Sequence, residues 1–290
     1  QLTDVVEIVS TRAAFAARNT DGEVITWGLS TEGGDSSSVS AALSSNVVAV
    51  ASTETAFAAV TSSGSVVAWG DSDNGGDTLY VASLLSLEVV VTIYSNHFAF
   101  AALLLDNSLA CWGSLSAGGD TPTELSSGGS AVEAVFSSNA AFAALLNDSS
   151  VVTWGDLIQG GNSDSVATDL DSGVSTVYST SRAFAALKSD GSVIVWGQDV
   201  YGGSGPSVAT DLTSDCESVY STEAAFAVLK SDSSVIAWGD SAYGGDTSSV
   251  VTSLASDVTV IFANKYAFVA LKKDSSVIAW GSAMYGGSIP

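Results

Sequence analysis

His97 is the only histidine in this chain of 290 residues, so any histidine-based catalysis would depend on it. A Ser-His-Asp triad would have to be centred on it, because the imidazole accepts the serine proton. A single histidine cannot build a multi-histidine metal site. Its neighbours Asn96 and Phe98 fall between two predicted strands. We therefore interpret His97 as a surface loop residue and predict no catalytic residue and no enzyme activity.

The acidic stretch 71–77, Asp-Ser-Asp-Asn-Gly-Gly-Asp, is a second candidate for chemistry. Closely spaced carboxylates suit a hard cation such as calcium. A helix-flanked calcium loop needs Asp or Asn at its fifth place and Glu at its twelfth, where this chain has Gly75 and Ala82. No glycine-rich, Lys-containing motif follows a predicted strand to hold phosphates. We predict no metal and no cofactor.

Seven tryptophans, each followed by Gly, could either stack on a ligand or pack in a core. They are Trp27, Trp69, Trp112, Trp154, Trp196, Trp238 and Trp280, at steps of 42 or 43 residues. An even period of this length indicates a repeat architecture. Alternation along the segment 235–238 gives that predicted strand two apolar faces, so we predict that the tryptophans pack between neighbouring sheets.

Each repeat contains the signals of three antiparallel strands. A β-branched run comes first, then an Ala-Phe-Ala core, then a turn such as Ser-Asp-Gly-Ser at 189–192, then the Trp-Gly strand. A Gly-Gly pair follows six residues after every Trp and marks a tight turn. The Ser-rich segment after it, for example 246–254, is predicted to supply a short outer strand, which would be the fourth.

Seven equal units with sheets covered on both faces predict an all-β, seven-bladed β-propeller with three to four antiparallel strands per blade. The whole of 1–290 is predicted to be one domain. The predicted blades are 4–45, 46–87, 88–130, 131–172, 173–214, 215–256 and 257–290. We favour a closed ring, and a linear solenoid of the same repeats is the alternative.

The segment 186–197, Ala-Leu-Lys-Ser-Asp-Gly-Ser-Val-Ile-Val-Trp-Gly, with Tyr-Gly-Gly at 201–203, resembles the repeat of the regulator-of-chromosome-condensation family. The resemblance covers all seven blades and is strongest in repeat length to short-repeat bacterial members, which include a secreted propeller that inhibits β-lactamases. It implies a propeller and a protein-binding platform. The eukaryotic founder is a nucleotide exchange factor on chromatin with longer repeats and basic surfaces. Since this chain lacks both features, neither exchange activity nor chromatin binding is expected.

Charge and composition exclude several classes of partner. The chain has 31 acidic and 8 basic residues, a net charge of −23, which repels nucleic acid and anionic membrane surfaces. No apolar run approaches the roughly 18 residues of a membrane span. The start at Gln1 and the sequon at 147–149 fit a processed, secreted, extracellular product. Cys111 and Cys216 are predicted to be core residues without a disulfide.

We predict the binding surface on the loops that break the repeat. These are the three-residue links between the first two strands and the loops after Trp-Gly, which share one side because the chain reverses at each hairpin. The candidate residues are Arg12, Glu54, His97, Phe98, Asn139, Arg182, Tyr201, Glu223, Tyr243, Lys265, Tyr266 and Tyr285.

From these loops we predict a non-catalytic protein-binding or assembly scaffold. Its partner would be another protein, with self-assembly or membership of a larger complex included in the hypothesis. A lectin-like carbohydrate binder is the alternative function. Sequence drift on a solvated surface is the alternative explanation of the loop variation.

Overall fold

The computed structural model describes residues 3–205 and 209–289, and it confirms an all-β, seven-bladed β-propeller. Seven three-stranded antiparallel sheets follow one another, one for each predicted blade. The chain divides into two compact units: unit 1 is Gln1–Phe142 with Trp154–Asp156, and unit 2 is Ala143–Thr153 with Leu157–Pro290. The single domain, and the choice between a closed ring and an open stack, depend on how these units meet and stay predictions.

The first strand of every blade is a six-residue segment rich in β-branched residues, which favour a pleated, half-buried surface. These strands are Val5–Ser10, Val47–Ser52, Val90–Ser95, Val132–Ser137, Val174–Ser179, Cys216–Ser221 and Val258–Ala263. In blade 6 the pairing shifts register between Cys216 and Ser218, so the strand starts with a bulge.

The second strand contains the Ala-Phe-Ala core and pairs with both of its neighbours. These strands are Ala14–Asn19, Ala56–Thr61, Ala99–Leu104, Ala141–Leu146, Ala183–Lys188, Ala225–Lys230 and Ala267–Lys272. As the central strand it is the most buried, and Ala225, Phe226 and Ala227 have no exposed surface.

The third strand ends in Trp-Gly and is reached through a hairpin. These strands are Val24–Gly28, Val66–Gly70, Leu109–Gly113, Val151–Gly155, Val193–Gly197, Val235–Gly239 and Val277–Gly281. The predicted Asp-Gly turns are confirmed, with Gly191 at φ 79° and its degenerate counterpart Ser233 at φ 67°. In blade 6 the hairpin places Phe226 directly opposite Trp238, and the centroids of the two rings lie 5.4 Å apart.

Where neighbouring blades meet, a sheet face with Phe and Trp side chains packs against a sheet face with Ala side chains. Phe226, Val228 and Trp238 share one cluster with Ala183 and Ala185 of the blade before. The opposite face of the same blade packs in the same way against the Phe and Trp of the blade after. Because alanine methyl groups leave room for rings, the blades approach closely enough to bury both. The predicted role of the tryptophans in packing is confirmed.

The prediction of a fourth, outer strand is wrong within the described residues, which leave out 206–208. The outer segments contain the α-helices Ala82–Leu85 and Ala167–Leu170 and the 3₁₀ helices Ser37–Val39, Thr123–Leu125 and Asp164–Val166. A strand needs a ladder of hydrogen bonds to its neighbour. In blade 6 the bond from the third strand to the outer segment is the one that Val235 N donates to the Leu254 carbonyl at 2.9 Å, and no ladder pairs the two. Leu254 itself is fully buried and Val250 packs against the same cluster, so apolar anchors hold the segment.

The two cysteines are buried and unpaired, as predicted. Burial raises the pKa of Cys111 to about 12, so its thiol stays protonated and unreactive at neutral pH. Burial also raises the pKa of Cys216.

Candidate functional site

The first residue of each link between the first and second strands has a structural role. The Thr222 hydroxyl accepts from Ala225 N at 3.0 Å and donates to the Tyr243 carbonyl at 3.0 Å. Asn96 makes equivalent bonds with its amide. Sequence analysis grouped this position with the diverging residues and missed its role. The signal was available, because only Ser, Thr and Asn occur there.

Within each unit, the second residues of neighbouring links join consecutive blades through the backbone. In unit 1, Arg12 N donates to the Glu54 carbonyl at 2.8 Å, and Glu54 N donates to the His97 carbonyl at 2.9 Å. The Asn139 carbonyl accepts from His97 N at 3.1 Å. In unit 2 the same ladder runs from Ser181 N to Glu223 at 2.9 Å and from Glu223 N to Lys265 at 3.0 Å. The backbone of these candidate residues is therefore fixed, and only their side chains vary.

The charged side chains of the unit 1 links have partners close by. Arg12 Nη2 donates to Glu32 Oε1, and Glu32 is 6% exposed. This hydrogen bond and the carboxylate charge raise the pKa of Arg12. His97 Nδ1 lies 3.4 Å from Glu54 Oε1, and its ring meets Phe98 edge-on at 5.9 Å between centroids. Pairing with Glu32 leaves less of the Arg12 charge available to a binding partner. The second carboxylate oxygen, Glu32 Oε2, is buried and makes no hydrogen bond within the described residues.

The links and loops of unit 2 bring aromatic and cationic side chains together instead. The Tyr266 ring stacks on Tyr285, with centroids 4.2 Å apart, and lies 5.4 Å from the Tyr243 ring. The Arg182 guanidinium lies 4.9 Å from the centre of the Tyr201 ring. We call the set Arg182, Tyr201, Tyr243, Lys265, Tyr266 and Tyr285 the aromatic row. Seven of the twelve predicted residues thus lie in unit 2, namely these six and Glu223, which pairs with Lys265.

Local backbone structure explains why three of these tyrosines have equivalent positions. Each is the last residue of a 3₁₀ helix after Trp-Gly, as in Asp199–Tyr201, Ser241–Tyr243 and Ala283–Tyr285. The glycine that follows is left-handed, with Gly244 at φ 98°, and ends the helix. The carbonyl of each tyrosine accepts a bond from the link of its own blade, so the rings are held on a fixed frame.

The electrostatics of the aromatic row favour binding over reaction. Desolvation raises the pKa of Tyr243, and the Glu223 charge raises it further, so the phenol stays neutral. A hydrogen bond from Lys265 to Glu223 raises the pKa of the ammonium, whose Nζ lies 3.2 Å from the carboxylate. Lys265 therefore stays charged and is a poor nucleophile. No described carboxylate forms an ion pair with Arg182, whose Nη1 donates to Gln198 Oε1 at 3.4 Å.

A cleft of about 660 Å³ lies next to the aromatic row in unit 2, with Gln198 in its lining. Leu157, Ile158 and Val200 also line it and are 58–68% exposed. Sequence analysis included their loops but did not single out these three residues. Large apolar residues in loops after Trp-Gly were the signal in the sequence that could have identified them as exposed apolar surface.

Other candidates for chemistry have structural roles or none. The Asp71 carboxylate accepts from Asp73 N at 3.0 Å and from Asn74 Nδ2 at 3.0 Å, so it caps a 3₁₀ helix. Within residues 3–205 and 209–289, no group of three or more His, Cys, Asp or Glu is placed to hold a metal. The predicted absence of metal and cofactor stays a prediction. Nor does the described chain contain a helix with the length and apolar character to cross a membrane.

Comparison with solved structures finds β-propellers. The ectodomain of the receptor kinase CR4 from Physcomitrella patens is 13% identical, with 97% of this chain and 73% of that chain covered and a TM-score of 0.47. Prp20p from Saccharomyces cerevisiae, described with its binding to Gsp1p and histones, is 13% identical over 96% of this chain and 72% of its own, at 0.47. Human WBSCR16 is 14% identical over 94% and 88%, at 0.48.

No protein-family model and no curated protein sequence matches this chain. Similarity at the level of the structural neighbours does not transfer their functions to it. The specific likeness to short-repeat bacterial propellers stays a prediction.

Proposed function

We propose that this chain is a non-catalytic protein-binding module that holds a segment of another protein on the aromatic row of unit 2. The observation that carries the proposal is the clustering of four tyrosines with Arg182 and Lys265 on loops whose backbone is fixed by hydrogen bonds. Tyrosine and arginine are the residues that most often dominate binding energy at protein interfaces.

The chemistry of the aromatic row suits a protein segment. Tyrosine offers a large apolar surface and a hydroxyl group at a small loss of side-chain entropy. Arg182 has no carboxylate partner among the described residues and can donate two bonds to a carboxylate or carbonyl of the ligand. The exposed side chains of Leu157 and Val200 extend the contact surface with apolar groups. Fixed loops lower the entropy lost on binding.

The net charge of −23 sets the overall character of the partner. Long-range attraction accelerates association with a protein of net positive charge and weakens as salt rises. We therefore propose a basic protein whose contacting segment contains apolar residues. Secretion is a further part of the proposal and rests on the sequence alone.

A lectin-like carbohydrate binder is the second candidate, because exposed tyrosine rings can stack on sugars. In unit 2 the Tyr266 ring already contacts the rings of Tyr243 and Tyr285. Those contacts reduce the open ring face that a sugar would need, so the arrangement favours a protein ligand.

The test is selection of binders from a displayed library of random peptides, with a glycan array probed in parallel. We expect peptides that bind the wild type and lose about tenfold or more in affinity for the double variant Tyr243→Ser and Tyr266→Ser. The matched control is Tyr80→Ser, since Tyr80 is fully exposed in unit 1 and outside the aromatic row. Equal affinity for both variants would overturn the proposal, and glycan binding lost in the double variant would establish the lectin alternative.

A further inference from the structure

The cleft of unit 2 is lined by two loops that are fixed to each other. Leu157 and Ile158 line it from the blade 4 loop, and Val200 lines it from the blade 5 loop. Both loops belong to unit 2. Trp196 also lines the cleft, is buried, and donates from Nε1 to the Gly160 carbonyl of the blade 4 loop at 3.0 Å. Because this bond joins the two loops, the cleft is preorganised for a ligand.

The exposure of the lining indicates what kind of ligand fits. Leu157, Ile158 and Val200 are 58–68% exposed, so the cleft is open to solvent. Its volume of about 660 Å³ falls in the range of ligand sites, about 300–1,000 Å³, but sites for small molecules enclose most of the ligand surface. An open apolar cleft suits a protein segment instead, with a large apolar side chain of the segment placed between the two loops.

Asp199 is the charged residue of the cleft lining, and it is exposed. None of the ion pairs among the described residues includes it. Two other polar side chains of the lining already have partners, since Asn162 Oδ1 accepts from Asp164 N at 2.8 Å and Gln198 Oε1 accepts from Arg182 Nη1 at 3.4 Å. A carboxylate forms strong hydrogen bonds with ammonium and guanidinium groups. Asp199 is therefore available to bind a basic side chain of the ligand.

We propose that the cleft holds a large apolar side chain of the partner segment and that Asp199 binds a lysine or arginine next to it in that segment. This assignment rests on the proposed function, because the loop that supplies Asp199 and Val200 to the cleft ends in Tyr201 of the aromatic row. Charge complementarity decides the occupant. The net charge of −23 attracts basic segments, and Asp199 places one negative charge at the apolar cleft.

Reversing the charge of Asp199 tests the proposal. Peptides selected from a random library on the wild type should be enriched in a large apolar residue next to Lys or Arg. One such peptide is compared with its variant that has Glu in place of the basic residue, and fluorescence polarisation measures both affinities. The wild type should prefer the basic peptide by about fivefold or more, and Asp199→Lys should prefer the Glu peptide. The same preference in both proteins overturns the proposal.

Asp171→Lys is the matched control for the charge change. Asp171 is exposed in the outer segment of blade 4 and is not part of the cleft lining, and its substitution changes the net charge by the same amount. This variant should keep the wild-type preference for the basic peptide. A reversed preference in Asp171→Lys as well would assign the effect to net charge and overturn the proposal. Circular dichroism verifies that each variant keeps the strand content of the wild type.

A third variant, Val200→Ser, tests the apolar contact and should weaken binding of both peptides about fivefold or more. A peptide that loses affinity for the double variant Tyr243→Ser and Tyr266→Ser, but binds Val200→Ser and Asp199→Lys like the wild type, would overturn the cleft assignment and leave the proposed function standing. A library that yields no binder overturns both. Sedimentation without peptide tests a second copy as the occupant, and a dimer that Val200→Ser dissociates would also overturn the proposal.

Discussion

The links of unit 1 and the links of unit 2 have the same backbone and different chemistry. Both hold neighbouring blades through an N–H to carbonyl ladder at their second residue. In unit 1 Arg12 pairs with Glu32 of the loop after Trp-Gly, and His97 lies beside Glu54.

In unit 2 Lys265 pairs with Glu223 on the ladder. The third link residues of unit 2 contact tyrosines: Tyr266 stacks on Tyr285, and Arg182, which has no carboxylate partner among the described residues, lies over the Tyr201 ring. A shared frame thus carries different side chains in the two units.

The largest expected effect tests whether the frame is equal in the two units. Phe57→Ala in unit 1 and Phe226→Ala in unit 2 each empty a fully buried ring site and should lower the free energy of unfolding by about 3–5 kcal/mol. Urea denaturation followed by tryptophan fluorescence measures both. A difference between the two variants as large as the effect itself would contradict a shared frame.

A smaller effect is expected where the hydroxyl of a link is removed. Thr53→Val and Thr222→Val each remove a buried hydroxyl that accepts from a backbone N–H and donates to a backbone carbonyl. Each should lower the free energy of unfolding by about 1–3 kcal/mol, because two backbone groups lose their partner. The same denaturation assay applies, and unchanged stability in either variant would argue against a structural role for the first link residue.

The ion pair of unit 1 should contribute more to thermal stability than the ion pair of unit 2. Arg12→Ala leaves the Glu32 carboxylate buried without its partner and is expected to lower the melting temperature. Lys265→Ala removes the ion-pair partner of Glu223, whose side chain is 30% exposed and can be solvated by water. This variant should therefore change the melting temperature less than Arg12→Ala does. Differential scanning calorimetry decides the order, and the reverse order would mean that the unit 1 pair is not the more tightly held.

The smallest effect concerns the hairpin side, where both units use the same device. A hydrogen bond from Ser234 lowers the pKa of Asp232, and one from Ser108 lowers the pKa of Asp106. A lowered carboxyl pKa contributes stability above the ordinary pKa of 3.8, and that stability is lost as pH falls through the lowered value. Asp232→Asn and Asp106→Asn should therefore melt below the wild type at neutral pH and approach it in acid. Melting differences that stay constant down to strong acid would contradict this.

Much of the fold could be predicted from the sequence because packing repeats with the Trp-Gly period. The alternation around Phe226 and Trp238 gave both buried faces correctly. The outer segment was predicted as a strand since its apolar residues suit one, but Leu254 and Val250 anchor it by packing and without a ladder of hydrogen bonds. The spacing of apolar residues indicates which side chains are buried, but it does not indicate which backbone N–H and C=O groups form hydrogen bonds.

The candidate site was only partly predictable. The loops were identified because they break the repeat, yet Tyr266 and Tyr285 are far apart along the chain and meet only through the geometry of one blade. The hydrogen bonds made by Thr222 were also missed, because the first residue of each link is always Ser, Thr or Asn while the two residues after it vary. Sequence variation predicts a surface that stays a prediction, and the coordinates separate the residues that hold its loops from those whose side chains are exposed.

Calorimetric titration of a library-selected peptide into the wild type, Tyr266→Ala and Phe98→Ala tests the central claim most directly. Phe98 and Tyr266 occupy the same link position in unit 1 and unit 2, so each is the control for the other. The account predicts a loss of about tenfold or more in affinity for Tyr266→Ala and a change within about twofold for Phe98→Ala. Equal losses in the two variants, or no loss in Tyr266→Ala, would contradict it.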